Sequence, residues 1–192
     1  MIKEFSAETG LLKKTVIYSR MIRLSHTIFA LPFALSGLVL ALREHQVTPA
    51  MVLWIITAMV GARSAAMGFN RIADADIDAE NPRTAIREIP SGTITKREAF
   101  IFTIFSSALL IFAAAMLSEI CFWLSFPLLG FLFFYSYTKR FTWLAHIYLG
   151  FAIGLAPVAV WIAIAGLPGL SVIILSLALM SHIAGFDILY AC

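Results

Sequence analysis

NRIADADIDAENPRT, Asn70 to Thr84, places four acidic side chains (Asp74, Asp76, Asp78 and Glu80) within seven positions of a chain that is 61% hydrophobic. The stretch follows directly on an apolar run, Thr48–Phe69, long enough to cross a bilayer. If the helix of that run continues, residues four apart share a face, and Asn70, Asp74 and Asp78 form one stripe. Asp76 and Glu80 then point elsewhere. Asn81-Pro82 is where such a helix is expected to break, because the residue before a proline is pushed out of the helical region.

The rest of the chain carries the membrane reading outward. Only 13% of its 192 residues are charged, about half the share usual in soluble domains, and its mean hydropathy is +0.92. Six segments have the length and apolarity of spans: about Leu24–Leu42, Thr48–Phe69, Ala99–Leu117, Ile120–Thr138, Trp143–Leu167 and Gly169–Ala191. The fold class predicted is an all-α, polytopic transmembrane helical bundle. Pro32, Pro127 and Pro157 fall inside these segments and are read as kinks, since neighbouring helices can satisfy the freed backbone groups. Thr95 with Glu98 forms a capping-box pattern at the start of the third span. Ser118-Glu119 and Gly166-Leu167-Pro168-Gly169 mark tight turns. Upstream, Leu11–Arg23 mixes basic and apolar residues and is expected to lie on the membrane surface.

A net charge of +3 does not imply nucleic acid, because the basic residues fall in short clusters between spans with no continuous basic surface. They set orientation instead. Twelve Lys and Arg lie in the N-terminal segment and in the connections after spans two and four, against Arg43 alone on the other side. The acidic stretch is therefore placed in the cytoplasm. Cys121 and Cys192 have neither disulfide nor metal-ligand spacing and are read as packing residues. Trp54, Trp123, Trp143 and Trp161 fit an interfacial aromatic belt. His26, His146 and His182 are single histidines without a second ligand and are read as packing or interfacial.

Two carboxylates and an amide oxygen on one face, with basic residues close by, suit a hard cation bound partly by substrate phosphate oxygens, as Mg²⁺ usually is. Arg83 and Arg87, beyond the break, are placed to hold those oxygens directly. Diphosphate becomes the expected substrate group. A solvated charged loop is the plain alternative, and an EF-hand loop is excluded by Ala79 and Ala85 where glycine and glutamate are required. Arg63 weighs against the plain reading. It lies two helical turns deeper on the same face as Asn70, where a charge costs several kcal/mol without a cavity or partner.

The pattern Asn70-x-x-x-Asp74-x-x-x-Asp78, followed by NPRTAIREIPSG and by YSYTKR at Tyr135–Arg140, resembles the UbiA superfamily of intramembrane aromatic prenyltransferases, most closely the 4-hydroxybenzoate polyprenyltransferases. The resemblance runs from about Met21 to the last residue. It implies that a polyprenyl diphosphate is held through Mg²⁺ by two aspartate-rich motifs, and that its allylic carbocation attacks an aromatic ring. Asn70, Asp74 and Asp78 match the first motif. By resemblance, Arg83, Arg87 and Lys139 would neutralise the leaving diphosphate, Tyr135 would face the same cavity, and Arg63 would meet the carboxylate of an aromatic acid acceptor. Membrane lipid is the surrounding partner, and a bacterial inner membrane, with the site open to the cytoplasm, is the implied location.

The family has about nine helices and a second acidic motif after the sixth. GFDILYAC, Gly185 to Cys192, resembles the approach to that motif with Asp187 in place, so residues 1–192 read as a single, C-terminally incomplete prenyltransferase domain, expected to be inactive alone. Asp187 is read either as a substrate-binding residue or as a helix-end charge. A naphthoate acceptor in a menaquinone route stays open. So does a transporter using Arg63 and Asp187 as intramembrane charges, although it leaves the Asn-Asp-Asp stripe without a role.

Overall fold

The computed structural model describes residues 14–138, 140, 142 and 144–191, with side chains at all of these except 24–30, 190 and 191. Lys139, Trp143 and Cys192 lie outside the described residues. Every regular element among those described is helical. A short helix α1 over residues 14–21 turns through Arg23, in a left-handed conformation with φ 49°, into α2 (Leu24–Ala41). Then follow α3 (Pro49–Glu80), α4 (Lys96–Leu117), α5 (Glu119–Thr138), α6 (Ala145–Ala165) and α7 (Leu170–Ala191).

Helices α2 to α7 correspond one to one with the six predicted segments. Five of them, α3 to α7, are long and apolar enough to cross a membrane. In α2 the stretch Leu31–Ala41 forms a shorter apolar helix. The protein is an integral membrane helical bundle. Pro32, Pro127 and Pro157 are all interior to helices, as expected. The capping box is present: Thr95 Oγ1 accepts from the Glu98 amide at 3.1 Å, and Glu98 accepts from the Thr95 amide at 2.9 Å.

Helix α3 runs beyond its apolar span to the break expected at Asn81-Pro82. Its 32 residues rise about 48 Å at 1.5 Å per residue, against a hydrocarbon core of about 30 Å. The predicted span, ending at Phe69, is the part that fits the core. The acidic stretch is a direct continuation of the same rod, ending at Asn81 in extended conformation (φ −100°).

Helix α3 packs most extensively on α4, and α6 on α7; α5 bridges the two pairs, and α2 lies mainly on α6. Small residues permit the closest approaches. A Cβ on Gly61 would stand 2.8 Å from the Leu110 amide nitrogen, and one on Gly150 would stand 2.5 Å from the Met180 carbonyl oxygen. In lipid such contacts substitute dispersion packing for the hydrophobic drive available in water. Where the chain emerges, Met21, Ile22, Ala75, Ile89, Ile94 and Ala99 form a buried cluster joining the α1–α2 turn, α3, the 81–95 connection and α4. Burial of each larger member contributes about 1.5–3 kcal/mol. That connection is thereby folded down over the end of α3. Trp123 is exposed as the belt reading expects, but Trp161 is buried, its Nε1 donating to the Leu167 carbonyl at 3.0 Å.

Candidate functional site

The exposed end of α3 sorts its four acids by helical phase. Asp74 and Asp78 are each 6% exposed, whereas the Asp76 side chain is 85% exposed and pairs outside with Lys96 at 2.7 Å. Asn70 is half-buried and Glu80 is exposed. The predicted stripe is therefore the inward face of the helix. Both buried acids lie within its last two turns, where the carbonyl end of the helix dipole adds to their negative potential.

Two arginines meet that potential. Arg87 comes from the 81–95 connection, and its Nη1 donates to Asp78 Oδ1 at 2.7 Å and Oδ2 at 2.6 Å. The connection is held for this contact by local bonds as well as by the apolar cluster. Asn81 Oδ1 accepts from the Arg83 amide at 3.0 Å, and Thr84 Oγ1 donates to the Asp78 carbonyl at 3.0 Å. Gly92, with φ 74°, supplies the turn toward α4. Arg140, just after α5, donates through Nη2 to the Ala73 carbonyl at 2.5 Å and lies 3.5 Å from Asp74 Oδ1. A third arginine, Arg71, is buried on α3 and donates from Nε to the Met21 carbonyl at 3.0 Å, tying the α1–α2 turn to the site.

The structure separates the two arginines that the sequence treats alike. Arg87 reaches Asp78, while Arg83 is exposed on the connection without an ion pair among the described residues. Lys139 lies outside those residues. Tyr135 of α5 is the meeting point of the other candidates, within electrostatic reach of Asp187, Asp74 and Arg63. Helices α3, α5 and α7 thus bring the candidate residues to one region. Arg63 Nε is buried with no hydrogen-bond partner among the described residues.

Two members of this region were absent from the expected site. His146, read from sequence as a packing or interfacial residue, places Nδ1 2.7 Å from Asp187 Oδ2, both side chains being 34% exposed. The sequence reading gave it no partner; an acid 41 residues away in sequence is one. Arg140 figured only as a topology charge, and its place beside Lys139 in YSYTKR was the available signal. Among the described residues no three His, Cys, Asp or Glu side chains converge as a preformed metal cage. Asp74 and Asp78 with the Asn70 amide do fit Mg²⁺ in its usual manner, with one or two carboxylates and the rest of the shell from water and substrate phosphate.

Residues 30–192 match the family model of the UbiA prenyltransferase family. The chain is 30% identical over 145 residues to a 4-hydroxybenzoate octaprenyltransferase of Vibrio atlanticus, covering 76% of this chain and 51% of that protein. It is 40% identical over 133 residues to protoheme IX farnesyltransferase 2 of Mesorhizobium japonicum, covering 66% and 41% respectively. The chain spans about half the length of the curated relatives it matches. Among solved structures, a UbiA homolog from Archaeoglobus fulgidus bound to GPP and Mg²⁺ superposes with a TM-score of 0.72, at 22% identity, over 91% of this chain and 62% of that one. At that identity the likeness establishes the fold.

Proposed function

The chain belongs to the UbiA prenyltransferase family, and from that premise we propose that the protein transfers a polyprenyl group from its diphosphate to an aromatic carboxylic acid such as 4-hydroxybenzoate, in quinone biosynthesis. The site opens to the cytoplasm from a bacterial inner membrane. The observation that carries the acceptor class is Arg63, a buried guanidinium with an unpartnered Nε on the helix that bears Asn70, Asp74 and Asp78. A carboxylate on the acceptor provides the missing partner. Relatives named for heme farnesylation make heme the competing acceptor, and a naphthoate is a second carboxylated one. The transporter alternative leaves the buried acidic pair unused.

Asn70, Asp74 and Asp78 would hold Mg²⁺, which when bound supplies Lewis-acid stabilisation to a departing diphosphate. The homolog from Archaeoglobus fulgidus carrying GPP and Mg²⁺ supports the choice of metal. The chain's own residues do the rest. Arg87, Arg140 and, by its place in YSYTKR, Lys139 neutralise charge as the allylic carbon–oxygen bond breaks; Arg83 lends long-range attraction from the rim. The Tyr135 ring offers its negative face to the allylic cation. Arg63 and Asp187 orient the acceptor, whose ring carbon forms the new carbon–carbon bond and then loses its proton to the released diphosphate. The surrounding apolar helices exclude water that would quench the cation.

Membranes carrying the complete enzyme, given Mg²⁺, a polyprenyl diphosphate and either 4-hydroxybenzoate, a dihydroxynaphthoate or heme, should yield the prenylated benzoate by mass spectrometry. Product from heme alone would overturn the acceptor assignment. Arg63→Ala should raise the KM for the aromatic acid by roughly ten- to a hundredfold, the loss of one charge-assisted contact, and spare the KM for the prenyl donor. An unchanged acceptor KM would move Arg63 to a structural role.

A further inference from the structure

Arg87 contacts both oxygens of Asp78 with one nitrogen, Nη1. Its Nε and Nη2 have no hydrogen-bond partner among the described residues, and its side chain is 26% exposed against 9% for Asp78. The guanidinium therefore blocks the carboxylate with one corner and holds its other donors uncommitted. A Mg²⁺ ion takes carboxylate oxygen at about 2.0–2.1 Å, and Nη1, 2.6–2.7 Å from both oxygens, occupies the side they share and holds a positive charge where such an ion would approach. The backbone that carries Arg87 has no need to move for the block to lift. It is pinned by Ile89 and Ile94 in the apolar cluster and by the Arg87 amide bond to the Thr84 carbonyl at 3.0 Å. Side-chain torsions suffice.

We propose that Arg87 is a placeholder cation. In the substrate-free protein it neutralises Asp78, and when a diphosphate arrives its free donors move to the phosphate oxygens and release Asp78 to the metal. The inference rests on the metal and diphosphate reading above and adds an order to it: metal alone binds weakly, and diphosphate unlocks the site. The placeholder has a clear reason to exist. An unpaired carboxylate that is buried at the negative end of a helix is strongly destabilising, so Asp78 needs a cation in the resting protein as well as in the working one. A guanidinium suits both, since one planar fork matches carboxylate and phosphate alike.

The test is binding of Mn²⁺ to the purified protein in detergent, followed by its electron paramagnetic resonance signal, with and without inorganic diphosphate. Arg87→Gln should bind Mn²⁺ alone more tightly than wild type, by on the order of tenfold, and gain less from diphosphate. Lys96→Gln removes a positive charge, as Arg87→Gln does, but from the pair with Asp76 on the exposed face, and should leave Mn²⁺ affinity unchanged, which separates the specific block from general electrostatics. Arg87→Lys keeps the charge but covers the carboxylate less completely, and should fall between wild type and Arg87→Gln; it carries the test if the glutamine variant does not fold. Affinity for Mn²⁺ alone that is equal to or weaker than wild type in both Arg87 variants overturns the placeholder. Asp78→Asn distinguishes that failure from a deeper one: if, with diphosphate present, it binds Mn²⁺ as well as wild type does, the metal site itself is misassigned and the inference falls with it.

Discussion

At Asp74 and Asp78 two carboxylates occupy the last turns of a helix whose carbonyl end already carries partial negative charge, and each has an arginine within 4 Å in answer. Helical phase decides which acids take part. In the complete enzyme, Asp74→Asn and Asp78→Asn should each cut Mg²⁺-dependent turnover by about a hundredfold, while Asp76→Asn, which loses only an exposed pair with Lys96, should stay within a few-fold. Equal losses at all three positions in a turnover assay would dissolve the distinction between the faces. This division was legible in sequence because a period of 3.6 needs no tertiary information. The pairs Arg140–Asp74 and His146–Asp187 were not, because they join residues far apart in the chain. Such pairs exist only once the helices have chosen their neighbours.

Element boundaries were readable for the same local reasons. Thr95 and Glu98 announce the start of α4, and Asn81-Pro82 the end of α3, each through its immediate backbone chemistry. Hydropathy alone stops at Phe69, since a transfer scale registers polarity and not hydrogen bonding; the four-residue spacing of Asn70, Asp74 and Asp78 is what carries α3 on to its end. Helix pairing was hidden, although its small-residue signals were present. Gly150 and Gly154 lie one turn apart on α6, facing the backbone of α7 at Met180 and Ser176. Gly150→Leu should force the two helices apart and lower stability by about 1–3 kcal/mol, measured as unfolding in increasing denaturing detergent. It should also weaken activity, because the same displacement parts His146 from Asp187. An unaltered unfolding midpoint would show that the α6–α7 contact is looser than described.

For the whole molecule, the Lys and Arg asymmetry and the helix order agree on one arrangement: the α2–α3 connection on one side, the 81–95 connection and the α5–α6 connection on the other. Cysteines introduced at Gln46 and Thr84 should react with an impermeant thiol reagent from opposite sides of sealed vesicles; reaction from the same side would reject the arrangement. The 32-residue α3 is the member that belongs fully to both environments. Its first two-thirds are lipid-soluble and its last third is not, so a single rigid rod reproduces along its axis the division of an amphiphile into oily tail and ionic head. The proposed donor is just such an amphiphile. Its isoprenoid chain can remain dissolved in the bilayer while its diphosphate stays at the depth where it already partitions, and the helix presents a matching group at each level. Capture then becomes lateral diffusion within one plane, with no transfer of the prenyl chain through water.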